Sequence, residues 1–173
     1  KILAANPGIH ELESVGAVSS DVQGDTANKV GALLAKYPKG KIDAIWGTWD
    51  AFSQGAYKAL KENGRTEIKL YSIDISNQDL ALMREPNSPW KVSVAVDPKL
   101  IGAINLRLVA NKIAGEKTPA TYEFKAAAIP QALLSGNPDA VNVASLAKVI
   151  PGWGKSDDFI APWFATLEAQ HKK

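Results

Sequence analysis

Three β-rich runs in this chain end in aspartate: AIWGTWD closes on Asp50, KLYSID on Asp74 and VSVAVD on Asp97. The carboxylates lie 24 and 23 residues apart, about one strand plus one helix with their turns. They therefore recur at the same point of successive units. Short strands alternating with helices of this length indicate βαβ units with right-handed crossovers and a parallel sheet, which makes the fold class α/β. In an open parallel sheet the ends of the strands form the carboxyl edge, where ligands of α/β proteins bind.

The spacing of apolar residues predicts strands at Leu12–Val18, Ala44–Gly47, Ile68–Ile73 and Val92–Val96, with a weaker one at Thr121–Lys125. Helices are predicted over Thr26–Tyr37, ended by Pro38, and over Ala51–Glu62, with Gly64 placed to close it in the left-handed region. A shorter helix follows Asn77 over Gln78–Arg84. A longer one, Pro98–Ala114, opens with Asp97 as cap and Pro98 at its first position and stops at Gly115. The last forty or so residues carry turn signals and one terminal helix, Asp157–Gln170, and read as an extension packed on the α/β body. The opening, KILAANPGIHELESVG, has neither an initiator Met nor the basic-then-apolar pattern of a signal peptide. It reads as the tail of a helix, Lys1–Ala5, a stop at Asn6-Pro7-Gly8 and then a strand, so the expectation is that an N-terminal portion has been removed.

With 173 residues, 46% of them apolar, the chain can build one substantial core or two small lobes. Its apolar runs are far too short to span a membrane. A net charge of +2 with scattered Lys and Arg offers no basic stripe, which argues against a nucleic-acid partner. The absence of cysteine excludes disulfides, thiolate metal sites and a cysteine nucleophile. His10 and His171 stand apart near the two ends, against a Ser-His-Asp triad or a histidine-rich metal site. No GxxxxGK[ST] or GxGxxG loop is present. No cofactor or metal is expected.

Each aspartate has two readings, a helix cap or a ligand contact, since Asp is a preferred N-cap. Three in register beside Trp49 favour contacts. Trp46 lies within a strand and is expected to pack in the sheet, whereas Trp49 lies past the strand end, where a ring can face a cleft. A flat ring covers the C–H face of a sugar while carboxylates accept its hydroxyl hydrogens in charge-assisted bonds. The ligand chemistry is therefore a neutral polyhydroxylated molecule. The lesser alternative is a glycosidase, in which two carboxylates do the work, one kept protonated by its setting. Trp90 is expected to pack, Trp153 and Trp163 to be buried without a role, and Ser76 and Asn77 to serve a turn and a cap.

The segment KIDAIWGTWDAFSQGAYKALKENG resembles the DA-[VI]-x-x-x-x-D-x-x-x-x-G-A-x-x-A-L-x-x-x-G stretch of type I periplasmic sugar-binding proteins, the ribose- and galactose-binding class, which is related to the effector domains of LacI-type repressors. KLYSIDISNQDL and VSVAVDPKLIGAINLRLVANKIAGEK resemble two further elements in the same order, and together the three cover about Glu11 to Lys125. The resemblance implies a three-layer αβα lobe with a mainly parallel sheet and a non-enzymatic, two-lobed clamp that closes over a sugar or polyol. It further implies docking on the membrane permease of an ABC transporter, and a periplasmic or lipid-anchored extracellular location. It makes residues 1–125 the C-terminal lobe, with 98–114 a helix crossing toward an N-terminal lobe, and 126–173 an extension. Carried onto matching positions, it favours Trp49 and Asp74 as ligand contacts and Asp50 as a structural cap. The family usually offers an amide where this chain has Val96, a departure from its pattern; Asp97, which follows, is the candidate third contact, and Asp21 lies near where the family often supplies an aromatic. A LacI-type regulator and a sugar-active hydrolase are the alternatives.

Overall fold

The computed structural model describes residues 1–140 and 142–171. Its strands are β1 (Ala44–Gly47), β2 (Lys69–Ile73), β3 (Trp90–Ala95) and β4 (Ala127–Pro130), in the sheet order β1-β2-β3-β4. β1 and β2 are parallel, β3 and β4 antiparallel. Leu70 N–H donates to Pro89 O, and Asp74 N–H to Val94 O. The mixed, mostly parallel open sheet agrees with the α/β class read from the sequence. The chain divides into two compact units, residues 1–72 with 87–90, and residues 73–86 with 91–173.

In the first unit, helix α1 (Ile2–Ala5) ends at Asn6, and helices α2 (Val22–Lys36) and α3 (Asp50–Glu62) pack face to face. α2 buries Thr26, Ala27, Val30 and Leu34, and α3 buries Ala56, Tyr57, Ala59 and Leu60, both at helical spacing. The two axes approach closely because Gly55 has no side chain: a Cβ there would stand 2.5 Å from the Gln23 carbonyl oxygen and 2.8 Å from the Thr26 Cβ. α3 ends as the sequence predicts. Gly64 takes φ +60, and the Arg65 and Gly64 amides donate to Leu60 O and Lys61 O, the paired bonds of a Schellman motif. Arg65 is itself buried. Its guanidinium bonds Glu67 and the carbonyls of Leu34 and Tyr37, satisfying acceptors that the end of α2 leaves free. Trp90 is fully buried 6.4 Å from the Tyr57 ring, a packing residue as expected.

Leu12–Val18 is not a strand. Gly16 takes φ +124, outside the extended region of ordinary residues, and the whole segment is exposed with no ladder partner among the described residues. What ties it down is polar: Glu13 accepts from Lys36 and, at 2.9 Å, from Tyr37 Oη.

The second unit carries α4 (Asn77–Arg84), β3, α5 (Pro98–Ile113), β4, α6 (Gln131–Ser135), a 3₁₀ turn (Ala144–Lys148) and α7 (Pro162–His171). Ser76, rather than Asn77, caps α4, through a capping box with Asp79. The weak strand expected at Thr121–Lys125 forms a few residues later, at β4, and the terminal helix starts at Pro162 instead of Asp157. Side chains from α4 and α5, and Trp153 within the segment itself, hold the C-terminal segment in place. Arg84 donates to Asn137 O and Ala140 O, Arg107 to Ser156 O and Asp158 O, Asn111 to Phe159 O, and Trp153 to Val143 O. These bonds satisfy loop carbonyls that secondary structure leaves open. Trp153 is buried, as expected.

Two outcomes test this packing. Gly55→Ala gains about 1 kcal/mol of helix propensity but places a methyl against backbone. Overpacking costs about 1–3 kcal/mol, so a net loss is expected in denaturant unfolding, and a stabilised variant would contradict the close approach. Lys36 and Tyr37 hold the Glu13 carboxyl below its ordinary range, chiefly through hydrogen bonds. A lowered folded-state pKa means this contribution is present above the ordinary glutamate value and is lost as pH falls through the lowered one. Carboxyl-carbon NMR should give Glu13 a midpoint below that ordinary value, and Lys36→Ala should return the midpoint toward it.

Candidate functional site

Trp49, Asp50, Asp74 and Asp97 sit where a strand gives way to a helix, whereas Asp21 precedes α2 without a strand before it. In the first unit, β1 ends at Gly47, and a Cβ on Gly47 would come within 1.9 Å of Ser53 Oγ. The bare glycine thus lets the first turn of α3 seat against the strand end. The Ser53 and Ser72 hydroxyls, both buried, are hydrogen-bonded at 2.8 Å beneath it. Trp49 is the N-cap of α3 in extended conformation, without a side-chain cap bond. Its carbonyl accepts from Ser53 N–H at 3.1 Å. The residue is 39% exposed, and its ring lies perpendicular to the Phe52 ring, with centroids 5.7 Å apart.

Asp50 is the first residue of α3 rather than its cap, and its carboxylate accepts from Ala51 N–H at 2.7 Å. A negative charge there complements the positive end of the helix. Asp21 caps α2, accepting from Gly24 N–H at 2.9 Å, and its own amide bonds Ser19 Oγ. Its local bonding is that of a cap. Trp46 departs from expectation: it is 61% exposed and does not pack in the core. Strand side chains alternate, and Gly47 faces α3, so Trp46 points to the opposite face of β1.

In the second unit, Asp74 directly follows β2 with φ +71. A non-glycine residue in the left-handed region is uncommon, and such strain concentrates at functional sites. Its amide donates to Val94 O at 3.1 Å, which fixes it beside the end of β3. Asp97, two residues past β3, is the buried N-cap of α5, and its Oδ1 accepts from Lys99 N–H at 2.8 Å. Asp74 and Asp97 thus occupy adjacent strand ends. Gly154, which sequence reading missed, belongs to this group. It takes φ +69, and a Cβ on it would stand 2.3 Å from Asp97 Oδ2. The run PGWG, two glycines around a buried Trp153, was the available signal for a tight loop pressed on another element.

Among the described residues, no group of three or more His, Cys, Asp or Glu is placed to hold a metal ion, and no helix is long and apolar enough to cross a membrane. His10 is exposed, and the side chain of His171 lies outside the described residues. Taken separately, an exposed ring at a strand end in the first unit can cover an apolar C–H face, and carboxylates at strand ends in the second can accept from hydroxyl groups.

A family profile described as the periplasmic binding protein domain matches residues 1–117. The chain belongs to that family. A sugar ABC transporter protein from Yersinia enterocolitica subsp. enterocolitica, of known crystal structure, is 82% identical, with a TM-score of 0.92 over 98% of this chain and 51% of that one. A 5-methylthioribose transporter solute-binding protein from Thermotoga lettingae, solved with 5-methylthioribose, is 29% identical with a TM-score of 0.91, covering 98% of this chain and 53% of that one. An ABC transporter solute-binding protein from Agrobacterium vitis with bound allitol is 32% identical, with a TM-score of 0.70 over 78% of this chain and 47% of that one. The chain spans about half the length of these relatives. A search of curated proteins returns no match.

The strain at position 74 is measurable. In the left-handed region a Cβ costs roughly 1–2 kcal/mol, so Asp74→Gly should be more stable than Asp74→Ala by about 1 kcal/mol in denaturant unfolding. Equal stabilities would remove the strain argument.

Proposed function

We propose that this protein binds a sugar or polyol, without transforming it, as the solute-binding component of an ABC importer. The observation that carries this reading is the 82% identity, over nearly the whole chain, to a sugar ABC transporter protein. The ligands of the two other relatives, a thiopentose and a six-carbon polyol, share the chemistry expected of the strand ends here: neutral, hydroxyl-rich and with an apolar face. Trp49 offers the ring, and Asp74 and Asp97 offer the carboxylates. Asp50 and Asp21 act through the helix ends they stabilise.

Transport function adds a membrane permease as partner, closure of two lobes over the ligand, and a periplasmic or lipid-anchored extracellular location. A carboxylate accepts the hydroxyl hydrogens of a sugar but repels anionic groups, so neutral sugars should bind and sugar phosphates should not.

The test is a thermal-shift and calorimetric screen of the full-length protein against 5-methylthioribose, allitol, pentoses and hexoses. A ligand that binds only the folded state raises the melting midpoint by mass action. Trp49→Ala should weaken the best ligand about tenfold, on the order of 1.4 kcal/mol, and Asp97→Asn should weaken it similarly. Release of product from chromogenic glycosides, abolished by Asp74→Asn, would replace this reading with a hydrolase.

A further inference from the structure

We infer that Phe52 and Gly16 are positioning residues for Trp49. The inference rests on the reading of Trp49 as the ring offered to a ligand. As an N-cap without a side-chain bond, Trp49 has a fixed backbone but an indole that the helix itself does not orient. The ring packed against it is Phe52, three residues along and therefore on the same face of the first turn, perpendicular at 5.7 Å. Perpendicular aromatic pairs have a preferred geometry, so the orientation of one ring is transmitted to the other.

Phe52 is in turn backed by Gly16. A Cβ on Gly16 would meet Phe52 Cε1 at 3.3 Å and its neighbours Cδ1 and Cζ at 3.6 and 3.7 Å. At φ +124, glycine is the residue that takes this conformation without strain. The Leu12–Val18 segment has no sheet partner among the described residues, and the Glu13 bonds to Lys36 and Tyr37 secure it to the end of α2. A continuous support therefore runs from α2 through Glu13 and Gly16 to Phe52 and on to Trp49. Phe52 is only half-buried, unlike Tyr57 and Leu60 further along the helix, so its ring contributes more to orientation than to the core. An indole already held in one orientation loses less freedom when a ligand stacks on it, which favours binding.

The experiment uses the full-length protein labelled with 5-fluorotryptophan, with the Trp49 resonance assigned through Trp49→Phe. Phe52→Leu and Gly16→Ala should shift or broaden that resonance in the ligand-free protein. Both should also weaken binding of 5-methylthioribose or allitol about three- to tenfold. Phe52→Tyr, which keeps the ring, should restore the resonance and the affinity. A Trp49 resonance unchanged in Phe52→Leu overturns the inference, with or without ligand. So does a perturbed resonance with undiminished affinity. Undiminished affinity in Trp49→Ala instead overturns the ligand role of Trp49, leaving the ring contact itself intact.

Discussion

The seating of α3 on the end of β1 is the constraint on which the first unit depends. β1 pairs in parallel with β2 through Gly47 and Ser72, and the missing side chain of Gly47 leaves the space that Ser53 fills. Two buried hydroxyls then lie between strand and helix, hydrogen-bonded to each other, so neither carries the cost of an unmet polar group. Because the helix starts within three residues of the strand end, Trp49 and Asp50 have one place to go. The second close approach, at Gly55, locks α3 to α2, and the buried Arg65 closes the far end by bonding the last carbonyls of α2.

The second unit is held by a different physics. Its C-terminal segment buries few residues at regular spacing, and its loops have carbonyls that no ladder satisfies. Arg84, Arg107 and Asn111, projecting from α4 and α5, meet those carbonyls directly. Tyr122 and Ser156 add two hydroxyls to the Asp158 carboxylate, and the perpendicular rings of Tyr122 and Phe159 pack beside them. The Tyr122 and Ser156 bonds lower the Asp158 pKa, while the neighbouring carboxylate raises that of Tyr122, so the pair keeps one charge across the neutral range. The consequence for the site is Gly154, which this stapled loop presses against Asp97 Oδ2. A segment remote in sequence thereby becomes a wall beside a strand-end carboxylate.

Much was legible beforehand. β1 falls where the alternation predicted, α3 and α5 lie within a residue of their expected bounds, and both end in a left-handed glycine, Gly64 and Gly115. These features are local: caps, periodicity and glycine act over a few residues. The failures were non-local. Leu12–Val18 has strand-like composition, but a strand exists only with a hydrogen-bonding neighbour, and Gly16 turns the backbone out of the extended region. Its place within a strand predicts that Trp46 packs in the sheet, but the face of β1 it occupies is the one that α3 does not cover, and it is largely exposed.

The alternation of strands and helices from β1 to α5, the ends of α3 and α5 and the placement of three aspartates just beyond three strands followed from the sequence alone, because each is written in residues close together along the chain. The tertiary structure alone decided what those positions became. It made Trp49 the helix cap and Asp50 the first helical residue, and it held Asp74 in the left-handed region beside Val94. It brought Gly154 to Asp97 and Gly16 to Phe52. Such contacts join residues tens of positions apart, and their geometry depends on how closely backbones can approach, a quantity no local pattern contains.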